Sequence, residues 1–376
     1  MMKVAMIGWE YPPSFSGGLG VHCQALVREL TSMAVDIEFY LPTDGKTQFD
    51  IPDRMTMHPM VLPNSESSYN ARVTWEAVQQ FRDWLEAYFT PKGIDIIHAH
   101  DWMGIFAAMR ISRLHNIPLI WTVHSTEYDR SAGMSLHPGI LSIELEALSQ
   151  ANYTIAVSKR TKHTLVKRYQ NDSAPIAVIY NGLDAGPFTP MSHRNYLHDE
   201  GHILFLGRVT EQKGPGIFLE AARIVLAETD ARFVIAGDGE LLGILRRRAR
   251  RWEIDNRVEF TGAVFGAPLY DCYRNAILFV LPAVSEPFGI TVLEAMASGI
   301  PSIISTTTGA GEIIKHALKV NPNNPQELAQ TILVLLKHPR LRQSIGQNSA
   351  REARHWTWKR VARETYSLYQ QVLIRT

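Results

Sequence analysis

Two series of short apolar runs, each spaced by amphipathic stretches, set the strongest limit on what this chain can fold into. The first series is "KVAMIG" (3–8), "DIEFYL" (36–41), "DIIHA" (95–99), "PLIWTV" (118–123), "YTIAVS" (153–158) and "IAVIYN" (176–181). The second is "HILFLG" (202–207), "RFVIAG" (232–237), "RVEFTG" (257–262), "ILFVLP" (277–282) and "PSIIST" (301–306). Helical spacing appears between them, as in "LVRELTSM" (26–33), "AVQQFRDWLEAYF" (77–89), "GIFLEAARIVLAE" (216–228) and "PQELAQTILVLLK" (325–337). Apolar strands alternating with helices make βαβ units and parallel sheets. The alternation breaks once, at "NGLDAGPFTPMSHRNYLHDEG" (181–201), which carries Pro, Gly, Asp and His and little periodicity. This stretch reads as a linker, with a boundary near 185–200. The expected organisation is a doubly wound domain over 1–190, a second over 191–348, and a last helix, 349–376, packing back towards the first. Open α/β sheets bind ligands outside the carboxyl ends of their strands, so two such edges facing each other form a cleft.

The totals exclude several classes. A chain of 376 residues suits two domains, at ~150 residues each. The formal net charge of +1 gives no case for nucleic acid as a partner. Cys23 and Cys272 lie far apart, which fits a reducing cytoplasm better than a disulfide scaffold. The opening "MMKVAMIGWEYPP" is too short in its apolar run for a signal peptide and fits a first buried strand. "AILFVLPAV" (276–284) falls short of a bilayer span, which needs ~20 residues. The chain is expected to be soluble, at most resting on a membrane surface. "LRRRARRWEIDNR" (245–257) holds five arginines at 246–251. It reads first as a solvated helix and second as a contact for acidic lipid or polymer.

Two stretches of the second series carry charged chemistry. "FLGRVTEQKGP" (205–215) follows its first strand and puts Arg208 and Lys213 in a loop at a carboxyl edge. Two cations beside a helix start suit a diphosphate, although a solvated loop fits the same residues. "SEPFGITVLEAMASGIPSI" (285–303) sets Glu286 in a turn and Glu294 in the helix that starts near Ile290 or Thr291. Free N–H groups from Gly289 onward would aim at the cleft. The carboxylates would accept from ribose and sugar hydroxyls at the two ends of a nucleotide sugar. The blander alternative makes Glu286 a helix cap and Glu294 a surface residue. In the first series, His124 ends a strand in "TVHST". "HAHD" (98–101) invites a metal reading, because a His-x-His pair on a strand shares one face. Histidines at strand edges are common, and Asp101 is read instead as a candidate contact for the acceptor or the sugar.

Together these motifs resemble the retaining glycosyltransferases of family 4. The resemblance rests on "WEYPPSFSGGLG" (9–20), "IHAHDW" (97–102), "TVHSTEYDR" (122–130), "NGLD" (181–184), "GRVTEQKG" (207–214), the Glu286–Glu294 pair around "EPFG", and "TGAGEII" (308–314). It covers nearly the whole chain. It implies the GT-B fold, two facing Rossmann-like domains, and transfer of a hexose from a nucleotide sugar to a carbohydrate or other hydroxyl acceptor. No cofactor and no metal are implied. Arg208 and Lys213 would neutralise the departing nucleoside diphosphate. Glu286 would bind donor sugar hydroxyls and Glu294 the ribose. Backbone N–H groups at Phe288, Gly289 and Ile290 would help hold the donor. Gly17 and Gly18 would let the first helix approach the phosphate, and His124 would stand near the donor sugar.

The resemblance extends in part to glycogen and starch synthases, which use ADP-glucose. Where those enzymes carry a lysine before the glycine pair, this chain has Phe15. UDP-glucose is therefore the expected donor, ahead of ADP-glucose and GDP-mannose. A sugar-nucleotide epimerase or a non-catalytic sugar-nucleotide sensor on the same fold are the alternatives of another class. A phosphorylase lacks a supporting motif for its pyridoxal lysine. "GGLG" (17–20) lacks the spacing of a dinucleotide oxidoreductase.

Overall fold

The structure, a computed structural model, describes residues 2–13, 17–62, 71–170, 175–190 and 201–375, with the backbone alone at 71–74. The chain divides into two compact units: Met1–Tyr128, Ser135–Gly182 and Trp358–Thr376 form the first, Asp129–Met134 and Leu183–Thr357 the second.

The first unit holds β1 (Lys3–Ile7), β2 (Asp36–Thr43), β3 (Met55–Val61), β4 (Ile96–His100), β5 (Leu119–Val123), β6 (Tyr153–Ala156) and β7 (Ile176–Val178). They pair in the order β3-β2-β1-β4-β5-β6-β7, every pair parallel. The second unit holds β8 (His202–Leu206), β9 (Phe233–Ala236), β10 (Val258–Gly262), β11 (Ala276–Leu281), β12 (Ser302–Ser305) and β13 (Ala317–Val320). Their order is β10-β9-β8-β11-β12-β13, again all parallel. The central strands β4, β5 and β12 are buried at every position. This is why they read as continuous apolar runs rather than alternating ones. Strand order reverses between β1 and β4 in the first sheet and between β8 and β11 in the second. Ligands of such sheets bind at that reversal, beyond the carboxyl ends.

Three features depart from the sequence reading. β3 and β13 were not expected. Both are edge strands with exposed positions, so neither carries a buried apolar run, and β3 contains Pro59. The last helix is not one piece: Pro339–Ala353 and Trp358–Arg375 are separate helices. Between them the Trp356 carbonyl accepts the Leu183 N–H at 2.8 Å, and Leu183 and Thr357 form a parallel bridge. That extended pairing takes the backbone out of the helix. Leu183 and Thr357 are also the limits of the second unit's long segment, so this unit begins just ahead of the 185–200 stretch. Trp358–Arg375 groups with the first unit and packs on the helix Gly18–Ser32.

The arginine-rich helix spans Leu242–Arg251. Leu245 and Ala249 are buried and its five arginines are exposed. Arg248 lies over the Trp252 ring and Arg246 over Phe260. Among the described residues no helix is long and apolar enough to cross a membrane.

Candidate active site

In the second unit, β8 leads through Gly207 into Arg208, a short 3-10 turn (Glu211–Lys213) and the helix Pro215–Leu226. Gly214, between turn and helix, has φ +69°, and a Cβ there would lie 2.2 Å from the Pro282 carbonyl oxygen. Only glycine lets the Lys213 turn press against the end of β11. The loop after β11 is fixed to the same turn: the Gln212 carbonyl accepts the N–H groups of Val284 (2.9 Å) and Ser285 (3.3 Å). Lys213 Nζ then meets Glu286 Oε2 at 2.5 Å, with both side chains mostly buried. Arg208 joins through Nη2 to Gln212 Oε1 at 3.3 Å.

Glu286 does not cap the helix that follows. Its backbone pairs with the stretch after β12: Glu286 N–H donates to the Thr307 carbonyl (3.3 Å), and the Glu286 carbonyl accepts from Gly309 (2.8 Å). The Phe288 carbonyl accepts from Ala310 at 2.7 Å. "EPFG" and "TGAGEII" are thus one hydrogen-bonded unit. Gly289, at φ +97°, turns the chain into the helix Ile290–Ala297, which has no side-chain cap. Phe288 and Ile290 are buried on either side of it. Glu294 is buried rather than on the surface. Tyr273 Oη donates to its Oε2 at 2.7 Å. Burial pushes the Glu294 carboxyl up to about 7, against the opposing pull of that hydrogen bond.

In the first unit, β4 and β5 deliver a group of histidines. His98 is spent: Nδ1 meets Tyr369 Oη (2.6 Å) and Nε2 meets Thr122 Oγ1 (2.7 Å). The His100 ring lies 4.4 Å from that of His98, and its Nδ1 is 3.1 Å from His124 Nε2. His22, from the helix Gly18–Ser32, packs edge-on to His124 at 4.4 Å between ring centres. Its Nδ1 donates to Asn181 Oδ1 at 2.8 Å. Trp358 backs the His22 ring. Burial holds all four imidazoles below their usual range, His98 and His124 down to about 3. Asp101, at φ +52°, spends Oδ1 on the backbone N–H groups of His124 (2.7 Å) and Ser125 (3.1 Å). It therefore organises the loop that carries His124. Among the described residues, His22, His100 and His124 are the group spaced for a metal ion, with one nitrogen from each within 4.8 Å of the others.

Gly17 and Gly18 open the helix Gly18–Ser32, which also lacks a side-chain cap. Glu10 Oε2 accepts from the Gly20 N–H in its first turn, at 3.2 Å. A Cβ at Gly17 would meet nothing within 4 Å. Phe15 lies outside the described residues.

Sequence reasoning missed His22, Asn181 and Tyr273. Asn181 sits inside "NGLD" and His22 two residues beyond "GGLG", but nothing local says that they meet. Tyr273 carried no signal, because its role follows only from its hydroxyl reaching Glu294, 21 positions away.

Residues 16–186 match the model of Glycosyltransferase Family 4, and residues 200–338 that of Glycosyl transferases group 1. An uncharacterized glycosyltransferase of Methanocaldococcus jannaschii is 31% identical, over 98% of each chain. The chain belongs to glycosyltransferase family 4. A glycogen synthase of Mycobacterium tuberculosis is 26% identical, over 98% of this chain and 94% of its own. Among solved structures, sucrose-phosphate synthase from Thermosynechococcus elongatus superposes with a TM-score of 0.83 at 20% identity, covering all of both chains. Anabaena HepE, solved with UDP-glucose, superposes with a TM-score of 0.72 at 17% identity, over 99% of this chain and all of its own. The two parallel-sheet domains of this glycosyltransferase are those of the GT-B fold.

Proposed function

We infer that the enzyme is a retaining hexosyltransferase that moves glucose from a nucleoside diphosphate sugar to an acceptor hydroxyl. The observation that carries the reading is the Lys213–Glu286 contact at the strand reversal of the second sheet. This contact supports reading Lys213 as a cation for the diphosphate and Glu286 as a carboxylate for the sugar. Arg208 and Lys213 take the charge that grows on the leaving diphosphate. Such preorganised charge is worth more in a dry site than in water. Glu286 accepts from donor sugar hydroxyls and Glu294 from the ribose. His124 hydrogen-bonds the sugar, and the uncapped start of Ile290–Ala297 holds the donor with its N–H groups.

In this reading the bond from sugar C1 to the diphosphate breaks and a bond from C1 to the acceptor oxygen forms on the same face. The acceptor proton passes to the leaving phosphate oxygen, so no covalent nucleophile takes part. Arg208 and Lys213 supply the neutralising charge without a divalent metal.

HepE was solved with UDP-glucose, which supports UDP-glucose as the donor. The second reading is glucan elongation from ADP-glucose, favoured by the similarity to a glycogen synthase. The deciding experiment offers UDP-glucose, ADP-glucose and GDP-mannose at equal concentration. Nucleotide release is scored with and without glucans, sugar phosphates and lipids. Acceptor-dependent UDP release is the expected result. Preference for ADP-glucose with a glycogen primer required would establish the second reading, and release without any acceptor would point to an epimerase.

A further inference from the structure

We propose that His100 is a positioning residue that fixes His124 as its Nδ1–H tautomer, so that His124 offers substrate a hydrogen-bond donor and not a base. This inference rests on the proposed function for the part His124 plays, but the tautomer is a property of the free protein. His100 Nδ1 and His124 Nε2 lie 3.1 Å apart, and one of them carries the shared hydrogen. His100 Nε2 is buried with no hydrogen-bond partner.

Suppose His124 Nε2–H donated. Neutral His100 would then carry its proton on Nε2, an N–H buried without an acceptor. Orphaned buried N–H groups are rarer than under-used acceptors. With the proton on His100 Nδ1 instead, the orphan is a lone pair. His22 follows the same pattern. Its Nδ1–H is claimed by the Asn181 oxygen, and its own buried Nε2 is left as a lone pair without a partner. His124 then accepts at Nε2 and keeps its proton on Nδ1. That nitrogen makes no hydrogen bond among the described residues, on a ring that is half-buried. The backbone is held as firmly as the ring, since Asp101 accepts the His124 N–H at 2.7 Å.

The chemistry follows from the tautomer. An Nδ1–H recognises an oxygen lone pair, such as that of a sugar hydroxyl. It has no lone pair with which to take the acceptor's proton. The histidine nearest the chemistry is thus removed as a general base, and the leaving phosphate is left to play that part.

The test is nitrogen-15 NMR of the full-length protein labelled at histidine, with the His124 signals identified by their loss in His124→Gln. The expected spectrum has the His124 proton on Nδ1. His100→Phe should release that preference and lower kcat by about tenfold to a hundredfold, the scale of a misplaced group, with little change in donor KM. His100→Gln, whose amide N–H donates in place of the imidazole, should recover part of both. A wild-type proton on His124 Nε2 overturns the proposal, as does a His100→Phe variant with unchanged tautomer and kcat. If His100→Phe fails to fold, the wild-type spectrum and His100→Gln still decide. If the tautomer is as stated but His124→Ala transfers sugar normally, the proposed function of His124 fails and the tautomer assignment stands.

Discussion

Beside the strand reversal of the first unit, at the ends of β4 and β5, His100 and His124 meet as neutral rings, each held below the usual imidazole range by burial. At the corresponding reversal of the second, a lysine meets a carboxylate. The sheets are alike, but the material set on their carboxyl edges is not. Neutral imidazoles hydrogen-bond a ligand without adding a field, which suits hydroxyls. A buried cation must be balanced until its ligand arrives. In the proposed reading the carboxylate that balances it turns to the sugar once the diphosphate takes over the lysine. In that reading the charged second unit takes the diphosphate and, through Glu286 and Glu294, the donor's hydroxyls, while the neutral rings of the first unit add a hydrogen bond without adding charge.

The largest expected effects lie in the charged region. Lys213→Ala should lower kcat by ~10²–10³, the usual cost of losing one preorganised electrostatic partner. Glu286→Ala should reduce turnover more than Glu294→Ala does, because the proposed function sets Glu286 on the sugar being moved. Glu294→Ala should act mainly on donor KM. Steady-state kinetics on variants with native circular dichroism would check this order. Wild-type activity in both glutamate variants would remove the carboxylates from the site.

His98 of "HAHD" and His124 of "TVHST" should separate. His98→Ala leaves the Tyr369 and Thr122 hydroxyls without their partner, at about 1–3 kcal/mol for each buried orphan. Its midpoint in urea should therefore fall while kcat of the folded protein holds. His124→Ala should do the reverse. A stable His98→Ala protein with lost turnover would merge the two histidines into one functional group.

How much of this was legible follows the same physics. The central strands could be read because burial on both faces writes an apolar run. β3 and β13, at the sheet edges, wrote none. Arg208, Lys213 and Glu286 stand out in the sequence as charged residues just beyond apolar strands, and the structure brings Lys213 and Glu286 into contact; Glu294 stands out only as a carboxylate in the helix that follows. Glu294's partner Tyr273 was not, since a tyrosine among helical residues looks like any packing residue. His22 and Asn181 are 159 positions apart in sequence, and only the sheet order brings their segments together. The break at 354–357 was invisible because pairing with Leu183, not local propensity, ends the helix.

The units should respond to acid with opposite sign. In the first, His22, His98, His100 and His124 all have lowered folded values. The unfolded chain binds protons that the folded unit refuses, so stability falls as pH drops below ~6.5. In the second, Glu294 is raised to about 7. The folded unit binds a proton that the unfolded chain releases above ~4.3, so stability falls as pH rises from there towards 7. Hydrogen exchange resolved by peptide, between pH 4.5 and 7.5, would read each unit separately. Nucleotide binding adds a finer test. A ribose held by ionised Glu294 should expel its proton, so affinity for UDP should tighten as pH rises through 7. Calorimetry in buffers of different ionisation enthalpy would detect that proton, and its absence would detach Glu294 from the ribose.

The smallest expected effect is that of a chelator. In the proposed mechanism Arg208 and Lys213 provide the charge that a divalent ion supplies elsewhere, so EDTA should leave turnover unchanged. The first unit makes this a sharper test, because His22, His100 and His124 bring three nitrogens within 4.8 Å. An ion there would need lone pairs from all three rings. The hydrogen bond between His100 and His124 already uses one lone pair and one proton, so the tautomer argued above and an ion on these rings exclude each other. Loss of activity in EDTA restored by magnesium or manganese would transfer the neutralising role from the cations to a metal. Loss restored by zinc alone would put the ion on the histidines, and with it end the contrast between a neutral region and a charged one.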